Sequence, residues 1–194
     1  MNILWIKDGK LGHEKQVKVL LDELSKTTDI KVYEEEYIIG SFQRINDILY
    51  YASRSNELIH HVKYHKKNIH LIIGAGSNTH AKVLQIKRGL KHDFHKEVLA
   101  VSLLVPSFFK QHFDLICAPK HDRHKLSGHE AIYFEGSLAK VSIDAVDESI
   151  GLIAIGGKNE HYLFNVNKIM EQVEFVTSIY PNKTWYIFSS RRTP

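Results

Sequence analysis

Asp8 and His13 stand five residues apart in "DGKLGH", between an apolar run and an amphipathic one. A carboxylate so close to an imidazole can hold it in one tautomer and leave the other ring nitrogen to take a proton from a hydroxyl. Asp8 can equally be the base itself, and both residues also suit a plain capping and turning role. His13 falls where a helix should begin, and the positive end of a helix dipole favours a neutral imidazole.

Three loops carry glycine after an apolar run: Gly9 and Gly12, Gly74 and Gly76, Gly156 and Gly157. Glycine lets the backbone turn tightly and approach a ligand, while the next helix offers unpaired N–H groups to phosphate or a sugar oxygen. None of the loops matches the Walker or the dinucleotide-binding pattern. Parallel folds also need glycine at turns for structural reasons alone.

Two further clusters have suitable chemistry. "KHDRH" brings His121, Asp122 and His124 together after "FDLICAP". One such group lacks the dispersed second set of ligands that a metal centre needs, so contact with substrate is expected there and no metal. "SSRRTP" sets Arg191 and Arg192 among Ser190 and Thr193. Guanidinium forks flanked by hydroxyls are the chemistry of a phosphate subsite.

The elements that must position these residues are legible as alternation. Apolar runs at "ILWI", "IHLII", "EVLAVSLL", "FDLICAP", "GLIAI" and "TWYIF" are interleaved with helical patterns, as at Val17, Leu20, Leu21 and Leu24. Such alternation predicts α/β structure with parallel βαβ units, which bind ligands at the carboxyl ends of their strands. A helix from Ser41 is expected to use Phe42, Ile45, Leu49 and Ala52 as one stripe, followed by a helical stretch with Leu58, Ile59 and Val62. The polar, acidic "VSIDAVDES" suggests a boundary between a domain of residues 1–145 and a second part, 146–194.

The net charge of +4 is unevenly spread. Nine Lys/Arg lie between Arg54 and Lys96 against Glu57 and Asp93, whereas acids prevail from Val141 to Thr177. A basic face of this kind suits an anionic membrane surface or nucleotide phosphates. Zinc-finger spacing, an RNP aromatic pattern and a helix-turn-helix are all missing, so no nucleic-acid partner is expected. No run approaches the roughly 18 apolar residues of a membrane span, and the start has no leader pattern. The expected location is therefore cytoplasmic, with the membrane's inner face within reach of the basic stretch. Cys117, the single cysteine, sits in an apolar run and reads as a buried, inert thiol.

The ordered set "WIKDGKLGHEKQ", "LIIGAGSNTH", "FDLICAPKHD", "EGSLAKV", "IAIGGKNEHY" and "SSRRTP" resembles the bacterial and plant mitochondrial-fission Elm family. That resemblance implies a two-lobed GT-B glycosyltransferase fold. A Rossmann-like acceptor-side lobe would be followed by the beginning of a second, donor-side lobe. It implies a nucleotide-sugar as donor substrate, no tightly bound cofactor, and a hydroxyl acceptor on a glycolipid or polysaccharide. Asp8, Gly9, Gly12 and His13 would face the cleft from the acceptor side. Gly156, Gly157 and Ser190 to Thr193 would lie toward the donor.

Two departures stand out. The family's second glycine loop is usually followed by basic residues, where this chain has Ser77 and Asn78. The family also continues past S-R-R-T-P, so the resemblance implies a truncated donor lobe that would be supplied by a missing half or by a partner. A non-catalytic, membrane-associated or partner-binding scaffold with a transferase-like fold is the alternative expectation.

Overall fold

Strand β1 (Asn2–Lys7) is buried at four successive positions, Ile3 to Ile6. A strand apolar on both faces has to lie inside a sheet covered on both sides, which is the habit of parallel α/β structure. The computed structural model describes residues 1–52, 63–141, 146–158, 163–190 and 192–194. Its contacts divide the chain into two units, Met1–Val141 and Ser142–Pro194.

In the first unit β1 leads through helix α1 (Leu11–Ser25) to β2 (Lys31–Glu36), and helix α2 (Ser41–Ala52) follows. Then come β3 (Leu71–Ala75), helix α3 (Ser77–Phe94), β4 (Leu99–Leu103), β5 (Leu115–Pro119) and the short β6 (Ile132–Phe134). The sheet order is β2-β1-β3-β4-β5-β6, every pair parallel. The chain therefore reverses its direction of travel between β1 and β3. At such a switch point the two carboxyl-end loops part and leave a crevice.

Alternation along β1 builds two cores. Leu4 and Ile6 join Ile72, Leu84, Ile86 and Ile116 on one face. Ile3 and Trp5 join Val17 and Leu21 of α1, with Ile73, Val101 and Leu103, on the other.

Helix α2 carries its apolar stripe on the exposed side. Its buried residues are Asp47 and Tyr51, while Phe42, Ile45 and Leu49 are 77%, 53% and 61% exposed. Hydrogen bonds decide this. The Asp47 carboxylate accepts from Tyr37 Oη at 2.6 Å and from Gln43 Nε2 at 3.0 Å. The backbone carbonyls of Asp47 and Tyr51 accept from Gln85 and Arg88 of α3. A carboxylate with these partners is stable inside, and the apolar stripe is left outside. The expected stretch with Leu58, Ile59 and Val62 lies outside the described residues.

The second unit is a single βαβ turn: β7 (Ile150–Ile155), α4 (Val166–Ile179) and β8 (Thr184–Ser189), with the strands parallel and in register. Asn165 caps α4 by accepting the Lys168 amide at 3.1 Å. Leu152, Tyr186 and Phe188 share one face of this sheet and are each more than half exposed.

Candidate functional site

Asp8 follows β1 directly and is buried, 5% exposed. Its Oδ1 accepts the Lys10 amide at 3.1 Å, and its Oδ2 lies 2.8 Å from His13 Nδ1 in the first turns of α1. An ionised carboxylate only accepts, so the hydrogen of this bond sits on Nδ1, and in the neutral ring Nε2 of the quarter-exposed His13 carries the lone pair. The lone pair is the feature a general base requires.

The loop after β3 packs against this pair. Gly76 adopts φ +83° and ψ 154° at the start of α3, a backbone region essentially confined to glycine. A Cβ there would overlap the His13 imidazole and lie 2.9 Å from Asp8 Oδ2. The β1 and β3 loops thus meet at the switch point, with Asp8, His13 and Gly76 in contact. Arg44 Nη1 of α2 donates to Ser77 Oγ at 3.2 Å, bringing a cation to the loop in which the chain itself places Ser77 and Asn78.

The remaining expected residues are distributed differently. Gly9 turns the chain at φ +74° beneath Ile38, and Gly12 has open space around its Cα. Gly74 is a packing glycine, since a Cβ on it would press on Thr79 and Val83 of α3. His121 and Asp122 line a separate cleft of about 430 Å³ with Leu104, Lys110 and Lys125. Asp122 is ion-paired to Lys125 at 2.6 Å, and His124 Nδ1 donates to the His121 carbonyl at 3.1 Å. A larger cleft, about 900 Å³, runs along Asp114, Arg123, His129 and Tyr133 and begins at the amino end of β5, away from the glycine loops. Among the described residues no three His, Cys, Asp or Glu are gathered as for a metal ion.

In the second unit the terminal motif folds onto its own glycine loop. Thr193 Oγ1 accepts the Ser190 amide at 2.8 Å and donates to the Gly156 carbonyl at 2.9 Å. Ser190 Oγ accepts the Arg192 amide at 3.2 Å, and the Lys158 amide donates to the Arg192 carbonyl at 3.0 Å. Gly157 packs against the Arg192 backbone so closely that a Cβ has no room. Gly156, Gly157, Ser190, Arg192 and Thr193 are therefore assembled, with their hydroxyls engaged in the turn. Arg191 lies outside the described residues.

Sequence reasoning passed over His80. It sits in the first turn of α3, 4% exposed, with Nε2 3.0 Å from Ser102 Oγ on β4 and its ring edge-on to Phe113. Burial, reinforced by the neighbouring His13 charge and opposed by Asp8, pushes its pKa down to about 4. The available signal was a histidine four residues after Gly76, at the spacing that turns it back under the loop.

A parallel sheet with its polar pair at the switch point defines a Rossmann-like α/β protein, an architecture broadly shared with nucleotide-binding proteins. Within that class, residues 11–194 match the family described as "Mitochondrial fission ELM1", and the chain belongs to it. No curated protein matches the sequence. Among solved structures, LsrB from Clostridium saccharobutylicum in complex with AI-2 is similar at 13% identity and a TM-score of 0.33, covering 98% of this chain and 54% of that one. This chain spans about half the length of that protein, and so distant a likeness carries no argument about ligand.

Proposed function

We propose that the protein is a binding module with a transferase-like fold that works at an anionic membrane surface and holds a sugar-bearing ligand through its hydroxyls. The observation that carries this reading is the outward apolar stripe of α2. Phe42, Ile45 and Leu49 lie exposed on a helix whose other face is occupied by Asp47 and Tyr51. An amphipathic helix with its apolar side toward solvent, and with Arg44 on the same helix, suits the headgroup boundary of a bilayer. Among the described residues no helix is long and apolar enough to cross a membrane.

Co-sedimentation with vesicles tests this directly. Binding is expected to vesicles containing phosphatidylglycerol and to weaken at least about tenfold in Phe42→Ser/Leu49→Ser, whose two lost anchors are each worth roughly 1.5–3 kcal/mol when buried. Equal sedimentation with purely zwitterionic vesicles, or no loss in the double variant, would reject it.

A second reading is favoured by the Asp8–His13 pair: transfer of a sugar from a nucleotide-sugar donor to a hydroxyl in a GT-B-type reaction. His13 Nε2 would take the acceptor's proton, and the freed oxygen would form a bond to the anomeric carbon. The bond from that carbon to the diphosphate would break, its electron pair leaving with the nucleotide. Asp8 would keep the imidazole oriented and stabilise its protonated form. Turnover of a nucleotide-sugar panel by the whole protein, lowered about 10²-fold or more in His13→Ala, is the result expected of this reading. Binding of the nucleotide-sugar without turnover returns the assignment to a binding module.

A further inference from the structure

The hydrogen bonds around His80 fix its tautomer. Ser102 has one hydroxyl hydrogen, and it is donated to the Leu104 carbonyl at 2.8 Å. The Ser102 oxygen therefore accepts from His80, so the imidazole carries its hydrogen on Nε2. Leu104 is itself held in a left-handed backbone, φ +73°, with its amide donating to the Cys117 carbonyl at 2.8 Å. Nδ1 of His80 is then a bare lone pair, buried, with no partner among the described residues.

An unsatisfied acceptor in such a place is costly, and interiors rarely leave one open. Its surroundings say what can satisfy it. His80 lies one helical turn beyond Gly76, the residue in contact with both His13 and Asp8. A bare lone pair on Nδ1 can be satisfied only by a hydrogen-bond donor.

We infer that His80 Nδ1 is a built hydrogen-bond acceptor for a hydroxyl, belonging to water or to a bound polyol, one helical turn beyond the contact of Gly76 with Asp8 and His13. The low proton affinity that burial confers keeps the lone pair available across neutral pH. The polyol source rests on the proposed sugar-bearing ligand; the acceptor role does not.

Nitrogen NMR of the full chain labelled with ¹⁵N-histidine tests the inference. Spectra at neutral pH are recorded alone and with methyl α-D-glucopyranoside as the polyol probe. His80→Gln identifies the resonance, and the ring contact with Phe113 supplies a second assignment should that variant fail to fold. The expected result is a neutral ring with hydrogen on Nε2 and an Nδ1 signal displaced upfield from that of a free lone pair. A position insensitive to the glucoside names water as the donor, and a dose-dependent further shift names the polyol. Hydrogen on Nδ1, or a free-lone-pair signal under both conditions, overturns the inference. Failure of sugar transfer or vesicle binding leaves this readout unchanged, so the two proposals fail separately.

Discussion

Replacing Gly76 by alanine is expected to destabilise the first unit by about 3 kcal/mol or more and to break the Asp8–His13 pair in the same step. Two penalties act together. The backbone at φ +83° and ψ 154° lies where a non-glycine residue costs about 1–3 kcal/mol. The new Cβ would then occupy the position of the His13 ring beside Asp8, and overpacking adds typically about 1–3 kcal/mol. Relief requires His13 to swing out, which breaks its 2.8 Å bond to Asp8. Urea unfolding measures the first effect, and the His13 ring resonances report the second. A variant as stable as the parent with those resonances unmoved would show that the loops after β1 and β3 do not meet as described.

Acid is expected to unfold the protein through His80. In the folded chain its pKa is lowered to about 4 from an ordinary 6.5, with burial the main cause. Between these values the unfolded chain binds the proton and the folded one does not. Stability is therefore fully present above about pH 6.5 and is lost as the pH falls toward 4, by on the order of 3 kcal/mol for a shift of this size. His80→Gln keeps an N–H for Ser102 and cannot gain a proton. The comparison of urea midpoints at about pH 7 and pH 4.5 should show a markedly smaller acid loss in the variant than in the parent. An equal loss in both would assign the acid sensitivity to other groups.

The alternation of strands and helices was legible because doubly buried strands are written as unbroken apolar runs. "ILWI" and the segment around Ile72 carry no polar residue to mislead. The polar pair was legible for a related reason: Asp8 and His13 are close in sequence as well as in space. His80 was hidden by distance, since the partner that fixes its tautomer is Ser102, twenty-two residues away on another strand. It also resembled its neighbours in a chain with 13 histidines.

Helix α2 shows a different limit. Periodicity revealed an apolar stripe, but a stripe does not declare which side faces water. That depended on Tyr37, Gln43, Gln85 and Arg88 meeting the other face. In "SSRRTP" the residue types suggested hydroxyls pointing at a ligand. Thr193 Oγ1 also accepts the Ser190 amide and donates to the Gly156 carbonyl, ties to the turn and the glycine loop that residue types alone do not announce.

Cys117 makes the first unit its own reporter. It is the chain's single thiol, 6% exposed on β5, and burial pushes its pKa up. A soft electrophile can reach its sulfur only when the strands around it part. With reagent scarce, the labelling rate follows how often the closed sheet opens and for what share of the time; with reagent in excess, it approaches the opening rate itself. The sheet thus contains a chemical clock on an interior strand, read without adding a probe or altering a residue.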